Sequence, residues 1–101
     1  MRVVALVDDL MDRSRLTAAV PGTTFARAAE ACAGADVVVI DLARHAASVA
    51  DVRVVAPGTR IVAFGAHVDS DLLAQAGADG ADVVVPRSAF FRNPAEAVNG
   101  A

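Results

Sequence analysis

The segment GADVVVID occupies residues 34–41, and a near copy, GADVVVPR, occupies residues 80–87. Each copy opens on a glycine, the residue that most readily closes a helix, and runs straight into consecutive valines. A short, continuous apolar run after a turn signal is the pattern of a strand covered on both faces, as in a parallel sheet. The shared unit is therefore a helix stop followed by a buried strand. It need not record a duplication, because a fold that alternates helix and strand uses such a unit repeatedly. The two ends differ in kind: Asp41 closes one copy, Pro86-Arg87 the other.

The same alternation extends in both directions. Residues 2–7 (RVVALV) form a buried strand that stops at Asp8 and Asp9. Residues 10–20 follow as a helix with Leu10, Leu16 and Val20 on its apolar side, halted by Pro21-Gly22. A weak strand at 23–26 and a short alanine-rich helix at 27–33 lead to the strand 37–40. A helix at 45–55, a turn at Pro57-Gly58 and a strand at 61–64 come next. Asp69, Ser70 and Asp71 supply helix N-caps ahead of Leu72, Leu73 and Ala76, and Gly77 to Gly80 end that helix. The last strand is 83–85, and the tail holds at most a short helix at 94–98. Alternating strand and helix with short connections implies right-handed crossovers and a parallel sheet between two helical layers. The expected architecture is a single-domain (1–101), three-layer α/β sandwich with five parallel strands in the order 2-1-3-4-5.

Composition narrows the possibilities. The chain has 101 residues, 55% of them hydrophobic but only 4% aromatic, so its core is built from valine, leucine and alanine. All nine basic residues are arginine, which excludes any mechanism that needs a lysine ammonium. A net charge of -3 offers no general attraction to nucleic acid or anionic lipid. No apolar stretch approaches the roughly 20 residues that cross a bilayer, and the N-terminus lacks the order of a signal peptide, so the expected location is the cytoplasm. The one cysteine, Cys32, is expected to face the core. Two histidines and one cysteine spread along the chain give no zinc spacing. No glycine-rich phosphate loop follows the first strand, and no Ser-His-Asp or Cys-His motif is present.

In the order 2-1-3-4-5, Asp8, Asp9 and Asp41 stand at the carboxyl ends of neighbouring strands, at the topological switch point where such sheets keep their sites. Converging carboxylates need a cation or a raised pKa, and magnesium suits one or two carboxylates plus water. Helix capping accounts for the same acids equally well. His45 has no visible partner. Phe90 and Phe91 either seal the core or, with the fourth helix, form an apolar contact surface.

VALVDD at 4–9, Asp41 after VVVI, IVAFGAH at 61–67, AGADG at 76–80 and VVVP at 83–86 together resemble the receiver domain of bacterial two-component response regulators, a flavodoxin-like fold. The resemblance implies that Asp8 and Asp9, with Asp41, hold magnesium and that Asp41 accepts a phosphoryl group. It also implies a cis Val85-Pro86 bond, an exposed His67 after the fourth strand, and a dimer surface around the fourth helix and Phe90-Phe91. The departures are specific. Gly65 stands where the family has a threonine or serine that bonds the phosphoryl group, and Val85 stands where it has a lysine before the proline. Arg87 lies close by, but its side chain points away if the strand continues through it. The segment from Asp9 to Asp41 is shortened and the closing helix reduced. A switch moves only as far as its ligand discriminates between two states. The expectation is thus a degenerate receiver that works by binding a protein partner or a second copy, without turnover. The alternatives are a magnesium-dependent phosphoacceptor, in which Asp41 attacks the donor phosphorus while the metal neutralises the developing charge, and a small-ligand binder at the same edge.

Overall fold

Five parallel strands, β1 (Val3–Leu6), β2 (Thr24–Phe25), β3 (Val37–Asp41), β4 (Arg60–Gly65) and β5 (Val83–Pro86), form one sheet in the expected order β2-β1-β3-β4-β5. They come from a computed structural model that describes residues 1–100. Register is continuous across the middle: Val3 to Leu6 pair with Val37 to Ile40, which in turn pair with Arg60 to Ala63.

The apolar runs lack polar alternation because both faces of the sheet are covered. Val4, Leu6, Val38, Ile40, Ile61 and Ala63 face one layer; Val3, Ala5, Val37, Val39, Val62 and Phe64 face the other. With side chains alternating along each strand, one run feeds two cores. The first layer consists of a 3-10 turn (Ala29–Cys32), α2 (Leu42–His45), α3 (Ser48–Val55) and α4 (Ser70–Ala78). The second is made by α1 (Leu10–Ala19), α5 (Arg87–Arg92) and α6 (Pro94–Asn99). Cys32 is fully buried in the first layer, as expected. Among the described residues, no helix is long and apolar enough to cross a membrane.

Several elements depart from the sequence reading. The helix expected at 27–33 is one 3-10 turn at Ala29–Cys32. The helix expected at 45–55 begins only at Ser48, as α3, and a separate short helix, α2, precedes it at Leu42–His45. Asp41 caps α2 directly at the end of β3, accepting from Ala43 N at 3.0 Å, and the chain then steps at Ala46-Ala47 so that α3 can lie over the 3-10 turn. In α1, Leu10 is 79% exposed, and Asp12, one turn before Leu16, takes the inward position. The tail folds into two helices, not one. Asn93 accepts from Glu96 N at 3.2 Å and donates to the Glu96 carboxylate at 3.1 Å, with Pro94 at the first helical position. Asn-Pro-Ala-Glu is thus a capped helix start near where the sequence reading placed one, and α5 ahead of it is the helix that the reading did not expect. The Val85-Pro86 bond is trans.

Candidate functional site

The carboxyl edge of the sheet gathers Asp8, Asp9, Asp12, Asp41, Arg44 and Arg87 around a cavity of about 320 Å³. β1 delivers Asp8 and Asp9. Asp9 caps α1, accepting from Asp12 N at 2.9 Å, while Arg13 reaches back to Val7 O at 2.6 Å and pins the turn. Asp8 accepts from His45 Nε2 at 3.0 Å. That hydrogen bond holds the Asp8 carboxyl below its usual range, against a smaller opposing effect of burial.

Asp41 is only 6% exposed. Burial pushes its carboxyl up, the Ala43 amide opposes this, and the nearby Asp12 charge adds to the rise while Arg87 and His45 counter it. Its Oδ1 bonds Ala43 N, and Oδ2 makes no hydrogen bond to the described residues.

The least expected member is Asp12, at 1% exposure. Arg87 grips it with both terminal nitrogens, Nη1 to Oδ2 at 2.6 Å and Nη2 to Oδ1. The expectation that Arg87 points away fails because the strand does not continue. Pro86 ends β5 and caps α5, and the turn into the helix swings Arg87 over the pocket. The Asp12 bond raises the Arg87 pKa further, ahead of the other carboxylates around it. On its other side the guanidinium lies over Phe91, 4.9 Å from the ring centroid, and 5.9 Å from that of Phe64.

Two further expectations are corrected. His45 has a partner, Asp8, supplied from 37 positions away. Phe90 is 1% exposed and stacks on Phe64 with centroids 4.7 Å apart, so it seals the core and offers no contact surface. Phe91 is half-buried, edge-on to Phe90 and Phe64, with Arg15 at 5.6 Å joining Arg87 on its ring. His67 is exposed, as implied.

Two switch positions, Gly65 and Val85, carry no polar side chain. A Cβ on Gly65 would touch Leu42 at an ordinary 3.5 Å and Leu73 Cδ2 at a tight 3.3 Å, so a side chain there needs only a small shift of the Leu73 methyl. Val85 packs against the second core. For magnesium, the fit is poor as the pocket stands. Among the described residues no three His, Cys, Asp or Glu side chains come together to hold an ion, and Asp8, Asp9 and Asp41 each already bond a group of this chain.

Sequence reading missed Asp12, Arg44 and the role of His45. For Asp12 a signal existed: Asp12, Leu16 and Val20 recur every four residues, placing an acid on the stripe of α1 that faces the sheet.

No protein-family model matches the chain, and no curated protein sequence does. Solved structures do. A response regulator from Burkholderia pseudomallei, described with a phosphorylated aspartic acid, a calcium ion and citrate, superposes with TM-score 0.81 at 15% identity, over 96% of this chain and 65% of that one. This chain therefore spans just under two thirds of that protein. A response regulator from Thermotoga maritima gives 0.75 at 19% identity, covering 99% and 96%. A receiver domain from Clostridium thermocellum gives 0.75 at 16%, covering 99% and 93%. The chain has the receiver fold.

Proposed function

We propose that this chain is a receiver-type signalling module that works by binding a protein partner and has lost the phosphoryl-reading switch. One observation carries the reading: β4 ends on Gly65, a residue with no side chain, in contact range of Leu42 and Leu73. A side-chain hydroxyl that would bond a phosphoryl group on Asp41 is absent at that position. Val85, in place of a lysine, adds to the same side of the argument. With no group to distinguish a modified from an unmodified Asp41, the modification has little free energy with which to shift the fold.

The contact surface is proposed at α4 and the β5 edge. β5 has a neighbour on one side only, and Val83 to Pro86 all remain half-buried; an open strand edge invites pairing or cover. Light scattering across a concentration series tests whether the partner is a second copy, and a strict monomer at high concentration removes that version.

A second reading, phosphorylation of Asp41, is favoured by one feature: Asp41 ends β3, lines the cavity and has an Oδ2 with no hydrogen bond to the described residues. Intact-mass measurement after incubation with a small acyl-phosphate donor and magnesium separates the two readings. No mass gain is expected. An acid-stable, base-labile gain abolished by Asp41→Asn would replace the first reading with the second. Amide NMR with beryllium fluoride is the companion test, with no shifts expected on α4 or β5.

A further inference from the structure

The charge balance of the pocket goes beyond that reading. Four carboxylates line one cavity, and each has a partner within the chain: Asp8 has His45, Asp9 has the amide of Asp12, Asp41 has the amide of Ala43, and Asp12 has Arg87. Only Asp12 is both almost wholly buried and bonded to a full, permanent positive charge. A buried carboxylate left without a counter-charge is costly, and a guanidinium that meets both its oxygens is the strongest side-chain answer. The grip is braced from behind by Phe91 and Phe64, an arrangement that favours a cation. It is also placed by the backbone, since Arg87 is the first residue of α5 and Pro86 fixes the turn.

We propose that Arg87 is the pocket's built-in cation, a plug that neutralises Asp12 and keeps divalent metal ions out of the carboxyl edge. An entering ion must either displace the guanidinium from Asp12 or sit beside it against charge repulsion. Without the Arg87 guanidinium Asp12 has no counter-charge, and a hard divalent cation supplies one only by drawing in Asp8, Asp9 or Asp41, which do not converge on an ion as they stand. The plug also ties α5 to α1 across the pocket, so any ion that did displace it would release the first turn of α5.

The test uses the full chain and manganese alone, with no phosphodonor, read by paramagnetic broadening of amide resonances at residues 8–12 and 41. The wild type is expected to bind weakly. Arg87→Met is expected to bind roughly ten- to a hundredfold more tightly, the range set by losing a charge-assisted hydrogen-bonded pair. Arg87→Lys, which keeps the charge, is expected to stay near the wild type. Equal affinity in wild type and Arg87→Met, or no binding to either, overturns the proposal. So does a gain in Arg87→Lys as large as in Arg87→Met. If Arg87→Met does not fold, Arg87→Met with Asp12→Asn serves instead. It removes the uncompensated buried charge and should still bind more tightly than wild type through Asp8, Asp9 and Asp41; no gain there also overturns the plug. The two readings fail on different measurements: a mass gain on Asp41 sinks the proposed function, and equal manganese affinity in wild type and Arg87→Met sinks the plug.

Discussion

The two GADVVV copies begin alike and end differently, and the likeness is structural. In the first, Asp36 N donates to Arg2 O at 2.9 Å and the Asp36 carboxylate accepts from Arg2 N at 2.6 Å. In the second, Asp82 N donates to Ile61 O at 2.9 Å and the Asp82 carboxylate accepts from Ile61 N at 2.8 Å. Each aspartate thus hooks its strand to the start of the neighbouring one. Each leading glycine has positive φ, 79° at Gly34 and 116° at Gly80, and lies against an arginine that bonds the carbonyl there: Arg2 to Ala33 O at 2.6 Å, Arg53 to Gly80 O at 2.7 Å. The divergence comes with position in the sheet. The first copy becomes central β3, buried along its whole length; the second becomes edge β5, half-buried throughout. Their last residues, Asp41 and Arg87, then face one cavity as acid and base. Sequence similarity sets how a strand starts, and place in the sheet sets what its end is used for.

The largest test of this contrast is truncation at matched depth. Val38→Ala in the central copy should cost about 2–3 kcal/mol, and Val84→Ala in the edge copy should cost about 1 kcal/mol, because part of its burial is already missing. Chemical denaturation measures both, and equal losses would show that β5 is covered in solution. Comparable in size is the far end of the second copy. Arg87→Met strands the buried Asp12 and should cost roughly 2–4 kcal/mol, at or below the usual figure for breaking a buried pair because Arg87 is 44% exposed. Asp12→Asn in the same chain should recover part of that loss.

The shared beginning predicts a smaller, matched pair. Asp36→Ala and Asp82→Ala should each cost about 1 kcal/mol for the lost bond to a strand amide. Asp82 should cost slightly more, since it also accepts from Arg53 at 2.7 Å. Burial raises the Asp82 pKa, but the Ile61 amide and Arg53 together outweigh it and bring the carboxyl below its usual range. A large inequality would break the equivalence of the two hooks.

The smallest effect is a pH signature at Asp41. Its pKa is raised in the folded state, so its contribution to stability is fully present below the unfolded value, about 4, and is lost as pH rises through the folded value. Asp41→Asn, which keeps the oxygen that caps α2, should therefore raise Tm at pH 7 and lose that advantage near pH 3.5. Asp8 is lowered by His45, so its contribution is present above about pH 4 and fades as pH falls through its folded value. Asp8→Asn should accordingly lower Tm at pH 7, the opposite sign. Thermal melts across that range check both.

What the sequence determined by itself is the scaffold. Continuous valine runs after a glycine stop read as strands buried on both faces, and strand alternating with helix leaves the doubly wound order as the economical arrangement. Asp8, Asp9 and Asp41 at strand ends follow from that order, because local pattern and connection rules are short-range properties of the chain. Tertiary structure alone decided who pairs with whom. Asp12 meets Arg87 across 75 positions and Asp8 meets His45 across 37. Phe90 turns inward onto Phe64, and Gly65 is packed under two leucines. Those outcomes depend on a strand ending at Pro86, on a helix breaking at Ala46-Ala47 and on the charge a buried carboxylate requires. Such conditions exist only once the sheet has brought distant residues to the same edge.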